Sequence, residues 1–541
     1  MNSERKTRSR FAGSIGMALA LSLLAVWIIA ASPAKPQPKA AASTASADVP
    51  YRLTLRPFQV AGLPGLHSVA HAVFGNKLVI VSGRTNGMHD FLPQRQAGLI
   101  WSFPPEKAND RVYVVDLTTR KLAGSASVDT LPAWIARQLR ATNTQSFTKD
   151  GWFYIVGGYG VTADGKSMRT FDQVLAIDLE ALIRTVGSGG KLDAQFAQQH
   201  MHAGDHPALQ VSGGAIEQFG DQVLLVFGQL FNGLYTTDGS VAQQEYSQAV
   251  RVLTFSLSSK PGQDQVPGID VVYVGKCPNP PATTPQPTPD GPYHRRDFSL
   301  TMVLDPNSEP VTSRIAAFGG VFKGGRMEGY LHPVYITGKS DFNCVTGGSI
   351  PGFTLDEDTC SSQWLGQYEA PIIPIYDERQ RAMYTTSFGG ISQFYWDTKS
   401  RTLKHDTIDF TKNPPVDGLP FINSISTLRV GDPGNGDFFH IEEQFPPRGS
   451  EPSCLDSSSR PVKAPYLGTD SWFVMANGLP VKDEVLLLAR IKSPVVVGYI
   501  FGGIASTLPY PGKATCASDM VYAVTLDPTK PTTTVRLKPP H

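Results

Sequence analysis

Short apolar runs recur along the chain, and most end on Gly-Gly or a near variant before a polar loop. A second strand-like segment, often closing on Asp, follows each loop. The pattern reads LVIVSGR at 78–84 then VYVVD at 112–116, FYIVGG at 153–158 then VLAID at 174–178, and VLLVFGQ at 223–229 then VRVLTF at 250–255. It returns as IAAFGG at 315–320, as TTSFGG at 385–390 running into QFYWD at 393–397, and as VGYIFGG at 497–503 before VYAVTLD at 521–527. Short β-branched and aromatic runs bounded by turn residues are strands. Each copy parses as four of them. The first follows a polar approach, as in HSVAHAV at 67–73 or FSLTMV at 298–303. The second runs into the glycines, the third carries the Tyr/Val/Asp motif, and the fourth is less regular.

Such a unit cannot bury both of its faces alone, so copies must stack around an axis. The glycines supply positive φ or close backbone approach where the second strand leaves a curved sheet. Segment 421–475 has strands at 421–430, 438–441 and 471–475 but no glycine pair, and is taken as a degenerate copy. With a period of about seventy residues, the expectation is an all-β propeller of about seven four-stranded blades, six being the alternative. The strand at 51–58 is expected to pair beside the C-terminal strand and close the ring. Four insertions stand out, at 182–209, 278–292, 337–367 and 446–467.

Charge adds an exclusion. Lys and Arg total 48 against 47 for Asp and Glu, so no basic excess points to nucleic acid or an anionic membrane. The first residues read as a targeting segment: Arg5, Lys6, Arg8 and Arg10 precede an uncharged apolar stretch at 11–31, then small residues at 32–34. A cleaved signal peptide over 1–34 is favoured, an uncleaved anchor is the alternative, and no cysteine near the cut suggests a lipoprotein. Residues 35–50 are Ala/Pro/Ser-rich and expected as a disordered linker, which leaves 51–541 for the propeller. Export to the periplasm or the medium follows, with membrane contact only through the N-terminal segment. A monomer is expected.

All five cysteines fall after the midpoint, in loop-like sequence. In an oxidising compartment, Cys344 with Cys360 is the first expected disulfide and Cys454 with Cys516 a second, which leaves Cys277 over. No zinc-type spacing occurs, so neither metal nor cofactor is expected.

The repeats resemble kelch repeats, whose hallmark is a Gly-Gly pair ending strand two and an aromatic/acidic strand three. They are similar in particular to secreted bacterial kelch-type proteins of unknown biochemical role, through LPGLHS at 63–68, SGRTNGMH at 82–89, YIVGGYG at 154–160, QEY at 244–246, HRRD at 294–297 and FGGISQFY at 388–395. Many of those carry a C-terminal sorting domain. None follows the last repeat before His541, so that export route is not expected. The resemblance implies a fold and leaves function open.

In such propellers the loops after strand two and the approaches to strand one share a face. That placement collects His67, Arg84, Asn86, His89, Asn143, Tyr159, Gln229, Tyr246, Arg295, Arg296, Asp297, Tyr330, Glu369, Gln393 and Asn423. The ligand-binding set proposed from it is His67, Arg84, Asn86, Tyr159, Gln229, Arg295, Arg296, Glu369 and Gln393. Arg, amide and aromatic groups suit a carboxylate, a glycan or an extended polar chain. The plainer alternative is that these groups bond one another and tie blades together. On a strand Arg295 and Arg296 point opposite ways, so at most one faces the axis. His200, His202, Asp205 and His206 have metal-ligand types, but a solvated loop explains them better.

No nucleophile elbow, zinc-protease or P-loop motif appears, and catalytic residues are not assignable from sequence. The leading expectation is a non-catalytic exported propeller that binds a protein or glycan partner at the loop-rich face. The alternative is a carbohydrate-active enzyme of epimerase or lyase type, with an Arg/Glu/His/Tyr site at the central pocket. A deep funnel where Arg296, Glu369 and Tyr159 converge beside a perturbed carboxylate predicts the enzyme; a shallow face with self-satisfied Arg pairs predicts binding.

Overall fold

Alternating apolar positions build antiparallel meanders throughout the computed structural model, which describes residues 48–89, 102–235, 242–277, 290–339, 352–406, 408, 418–431, 436–456, 458–510 and 514–539. The targeting segment and most of the linker lie outside these residues. Among the described residues no helix is long and apolar enough to cross a membrane.

Among the described residues four sheets have four strands, one has eight and one has seven, with three two-stranded ribbons besides. Strands Ala70–Phe74, Lys77–Val81, Arg111–Asp116 and Lys121–Ser127 form one meander, and Ser299–Leu304, Ser313–Phe318, Val334–Lys339 and Gly352–Glu357 another. The eight-stranded sheet joins two meanders that begin at Gln145–Lys149 and Ala215–Phe219, linked by a single parallel bridge, Ala203↔Gly268, between their last strands. With its two first strands side by side, that sheet nearly closes on itself. The seven-stranded sheet is built on Ile372–Asp377, Ala382–Phe388, Ser424–Gly431 and Gly436–Gln444. A further four-stranded sheet combines Ser471–Met475, Val495–Gly502 and Met520–Asp527 with the N-terminal strand Arg52–Gln59. That strand pairs antiparallel from Arg52↔Asp527 to Gln59↔Met520 and covers the edge of Met520–Asp527, while the last described strand, Thr534–Arg536, joins the seven-stranded sheet beside Gly436–Gln444. The arrangement is all-β and propeller-like.

Seven blades are not formed, for a local reason. The segment Phe394–Asp397, expected as a third strand, folds instead as a ribbon with Thr402–His405. The strand that pairs with Ala382–Phe388 is Ser424–Gly431, from the expected degenerate copy. Ser471–Met475 then opens the last sheet. The degenerate copy is thus divided between two sheets.

The glycine pairs do what their sequence position requires. Gly389 and Gly390 have φ of 61° and 94°, and a Cβ on Gly389 would collide with the Leu467 carbonyl. The chain here turns left-handed while packed against the next sheet's approach loop.

Two expected insertions prove to be structural. Helices Leu179–Gly187 and Ala194–His200 lead into the outer strand Met201–Asp205, so the histidine-rich stretch belongs to a sheet. His202 Nδ1 lies 3.1 Å from the Gly268 carbonyl and His200 Nδ1 3.7 Å from Asp178. The hairpin Ser453–Leu455/Pro461–Lys463 carries Cys454, which is bonded to Cys516 across 62 residues. Cys360 is free and exposed, so the expected Cys344–Cys360 pair is not made; Cys344 itself lies outside the described residues. Cys277, expected to be left over, is in a disulfide.

Candidate functional site

Each meander begins the same way. One to three residues before its first strand stands a residue with left-handed backbone: Ser68 (φ 53°), Asn143 (53°), Gly213 (60°), Asp297 (54°), Glu369 (44°) and Asp470 (56°). The residue before it bridges to the residue after the glycine turn, as His67↔Arg84, Thr142↔Tyr159, Ser212↔Gln229, Arg296↔Val321 and Tyr368↔Ile391. In the last sheet Ile504 N donates to the Thr469 carbonyl at 2.9 Å. Asn, Asp and Gly tolerate this conformation, whereas Glu and Ser adopt it at a cost. The repeated turn gathers these residues around one axis, where they separate two cavities. Below is a channel of about 1080 Å³ lined by the first strands of all the meanders. Above is a narrow pocket of about 80 Å³, whose walls include His67, Arg84, Phe103, Tyr159, Gln229, Tyr235, Arg296 and Tyr368.

Three carboxyl groups meet at this neck. Glu369 and Asp470 are hydrogen-bonded to one another through their side chains. Asp470 also accepts from Ser68 Oγ at 2.6 Å, and its Oδ2 lies 3.0 Å from His67 Nδ1. Asp297 pairs with Arg296 at 3.4 Å. Their environments push their protonation apart. Burial, then the Asp470 and Asp297 carboxylates, hold Glu369 well above the ordinary range, which favours its neutral form. Burial also acts against Asp470, but hydrogen bonds from Glu369, His67 and Ser68 outweigh it and hold its carboxyl below the usual range. Asp297 is pushed up to about 6 by burial, against the pull of Arg296 and with Asp470 raising it further. A protonated acid beside an ionised base is the arrangement that general acid–base chemistry uses.

The cationic walls differ in kind. Arg84 is buried, lowered by that burial to about 10, and remains charged at neutral pH. It lies over the Phe103 ring at 5.3 Å, with Nε donating to Asn86 Oδ1 at 3.0 Å and Nη2 to the Pro104 carbonyl at 2.9 Å. Arg296 Nη1 donates to Tyr235 at 3.3 Å, its guanidinium lies 4.7 Å from the Phe322 ring, and its Nε has no partner among the described residues. Two buried polar atoms in the pocket wall also have no partner among the described residues: His67 Nε2 and Thr469 Oγ1, on residues 4% and 3% exposed. Buried polar atoms are ordinarily satisfied, so these await water or a ligand.

Of the residues expected from sequence, His67, Arg84, Tyr159, Gln229, Arg296 and Glu369 line the pocket. Asn86 stands behind Arg84 and orients it. Arg295 does not belong there: it is fully buried, stacks 4.3 Å from Tyr330, and donates to the carbonyls of Pro292, Gly319 and His332. Gln393 accepts from Gly329 N at 2.8 Å and ties two turns together. Tyr159 and Gln229 also spend their polar atoms internally, Tyr159 on the Gly233 carbonyl and Gln229 on Tyr235 and Gln244. Asp470, Thr469 and Tyr235 were not foreseen. Spacing marks the neck position only in the first copies, where Ser68, Asn143 and Gly213 precede Gly83, Gly158 and Gly228 by the same interval; the longer insertion between Asp470 and Gly503 breaks that register, so it does not reveal Asp470.

No protein-family profile matches the chain, and no curated protein matches it. Among solved structures, one titled "Structure of YjhT" aligns over 87% of this chain and 99% of its own, at 10% identity and a TM-score of 0.40. A likeness at that level carries no argument about function.

Proposed function

We propose that the axial pocket is an acid–base site acting on one end of a small carbohydrate, as in a sugar epimerase or lyase. One observation carries this reading: Arg296, Tyr159 and Glu369 converge on a pocket whose floor pairs a protonated carboxyl with an ionised one. Holding a carboxyl protonated between two others costs stability and serves no purpose in a passive face; at a reacting centre it supplies an acid at neutral pH. Glu369 gives a proton to a ligand oxygen while Asp297, raised to about 6, takes one from elsewhere on the ligand, so the net charge is restored. Arg84 and Arg296 orient an anionic or hydroxyl group. The narrow pocket admits one end of a ligand and excludes a polymer chain.

The internal bonding of Tyr159, Gln229 and Gln393 supports the second reading, a non-catalytic propeller that presents this face to a protein or glycan. In the finer description proposed here, the meanders are six blades of kelch type and the protein is an exported monomer. The Cys454–Cys516 disulfide supports export, because such bonds persist outside the reducing cytoplasm.

The test is proton NMR in D2O with a panel of monosaccharides, amino sugars and sugar acids. The enzyme reading expects faster anomer interconversion or C–H exchange for at least one member, lowered about 10²–10⁴-fold in Glu369→Gln. Line broadening without any conversion, abolished by Arg84→Ala and Arg296→Ala, would instead establish binding alone.

A further inference from the structure

Glu369 is reachable from two directions. Ser68, Asn143, Gly213, Glu369 and Asp470 line both the upper pocket and the channel, so the cavities meet at the carboxyl pair. The channel runs from there to the exposed residues Thr148, Gly220, Asn477 and Glu484 at its far end. The two approaches differ chemically. On the pocket side stand guanidinium and aromatic groups, suited to a ligand. The channel side is mixed: Phe147, Ile216, Trp472 and Phe473 line it together with Ser146, Thr301 and Glu217, whose hydroxyl and carboxyl groups suit water and protons.

We propose that the channel is the proton route to Glu369, so that a ligand filling the pocket leaves the acid–base pair connected to solvent through the opposite face. The inference rests on the acid–base reading given above. In each cycle Glu369 gives its proton to the ligand and takes another through channel water, while the proton removed from the ligand leaves by the same path. Glu217 stands in the channel wall with its carboxyl pushed up to about 8, by burial first and then by Glu484. It therefore exchanges protons readily near neutral pH. His71, Asp470 and Asp483 line the same channel.

The experiment is rapid-mixing infrared spectroscopy on the full chain, following the carboxylic band that disappears in Glu369→Gln as the protein is transferred into D2O. Ser146→Trp and Thr301→Trp, on different strands, obstruct the channel; Met88→Trp obstructs the pocket. The route predicts exchange slowed at least about tenfold by either channel variant and unchanged by Met88→Trp. Exchange at the wild-type rate in folded channel variants, or slowing only in Met88→Trp, overturns it. If both bulky variants unfold, Glu217→Gln carries the test, and unaltered exchange there overturns the route equally. Absence of any Glu369 band defeats the acid–base reading itself, and the route with it; a band indifferent to the channel defeats only the route.

Discussion

Glu369 and Asp470, delivered by consecutive meanders, share a hydrogen bond at the axis, the carboxyl of Glu369 pushed well above the ordinary range and that of Asp470 held below it. The pair exists because both residues occupy the same left-handed turn. Glu369→Gln keeps a donor toward Asp470 and removes a titrating group. Because the folded state raises the Glu369 pKa above its unfolded value, stability falls as pH rises toward that folded value. The variant is expected to melt higher than wild type at pH 8 and to match it more closely at pH 5, as read by thermal denaturation.

Asp470 has the opposite sign. Its carboxyl is held down in the fold, so the stability it contributes is present above its unfolded pKa and is lost as pH falls. Asp470→Asn leaves Ser68 and His67 without their charged acceptor, with an expected cost of about 1–3 kcal/mol at pH 7. Denaturant titrations at pH 7 and pH 3 should show that cost shrinking in acid.

The adjacent arginines separate structure from site. Arg295→Ala strips three backbone carbonyls of their donor and is expected to cost on the order of 3 kcal/mol. Arg296→Ala leaves Asp297 buried without its cation, which raises that carboxyl above its present value of about 6. Its penalty should therefore be larger at pH 8 than at pH 5, whereas that of Arg295→Ala should not follow this titration. Equal pH profiles for the two variants would contradict the assignment.

At the glycine turns, Gly389→Ala combines positive φ with a collision against the Leu467 carbonyl. A loss of about 2–4 kcal/mol is expected in chemical denaturation.

Cys454→Ser removes a cross-link spanning 62 residues, worth roughly 4 kcal/mol by loop entropy. Cys360→Ser, at a free exposed thiol, should change stability by less than about 0.5 kcal/mol. A comparison of melting temperatures with and without reductant checks both.

The strands, the glycine turns and the pairing of Arg52–Gln59 with Met520–Asp527 were legible because they rest on local pattern and edge protection. The blade count was not. The aromatic/acidic run at Phe394–Asp397 imitates a third strand, while the true partner, Ser424–Gly431, lacks the Tyr/Val/Asp motif and reads as part of the degenerate copy. That error detached Asp470 from its repeat and hid the carboxyl pair. The inward or outward aim of Arg295 and Arg296 follows strand alternation, but which one faces the axis depends on where bridging begins, here Arg296↔Val321. Composition alone does not reveal that.

The most direct measurement is an infrared titration of wild type against Glu369→Gln from pH 5 to pH 9. The account predicts a carboxylic band at pH 7 that is present in wild type and absent from the variant. Spectra at pH 7 that show only ionised carboxylates, with no such band lost in Glu369→Gln, would contradict it.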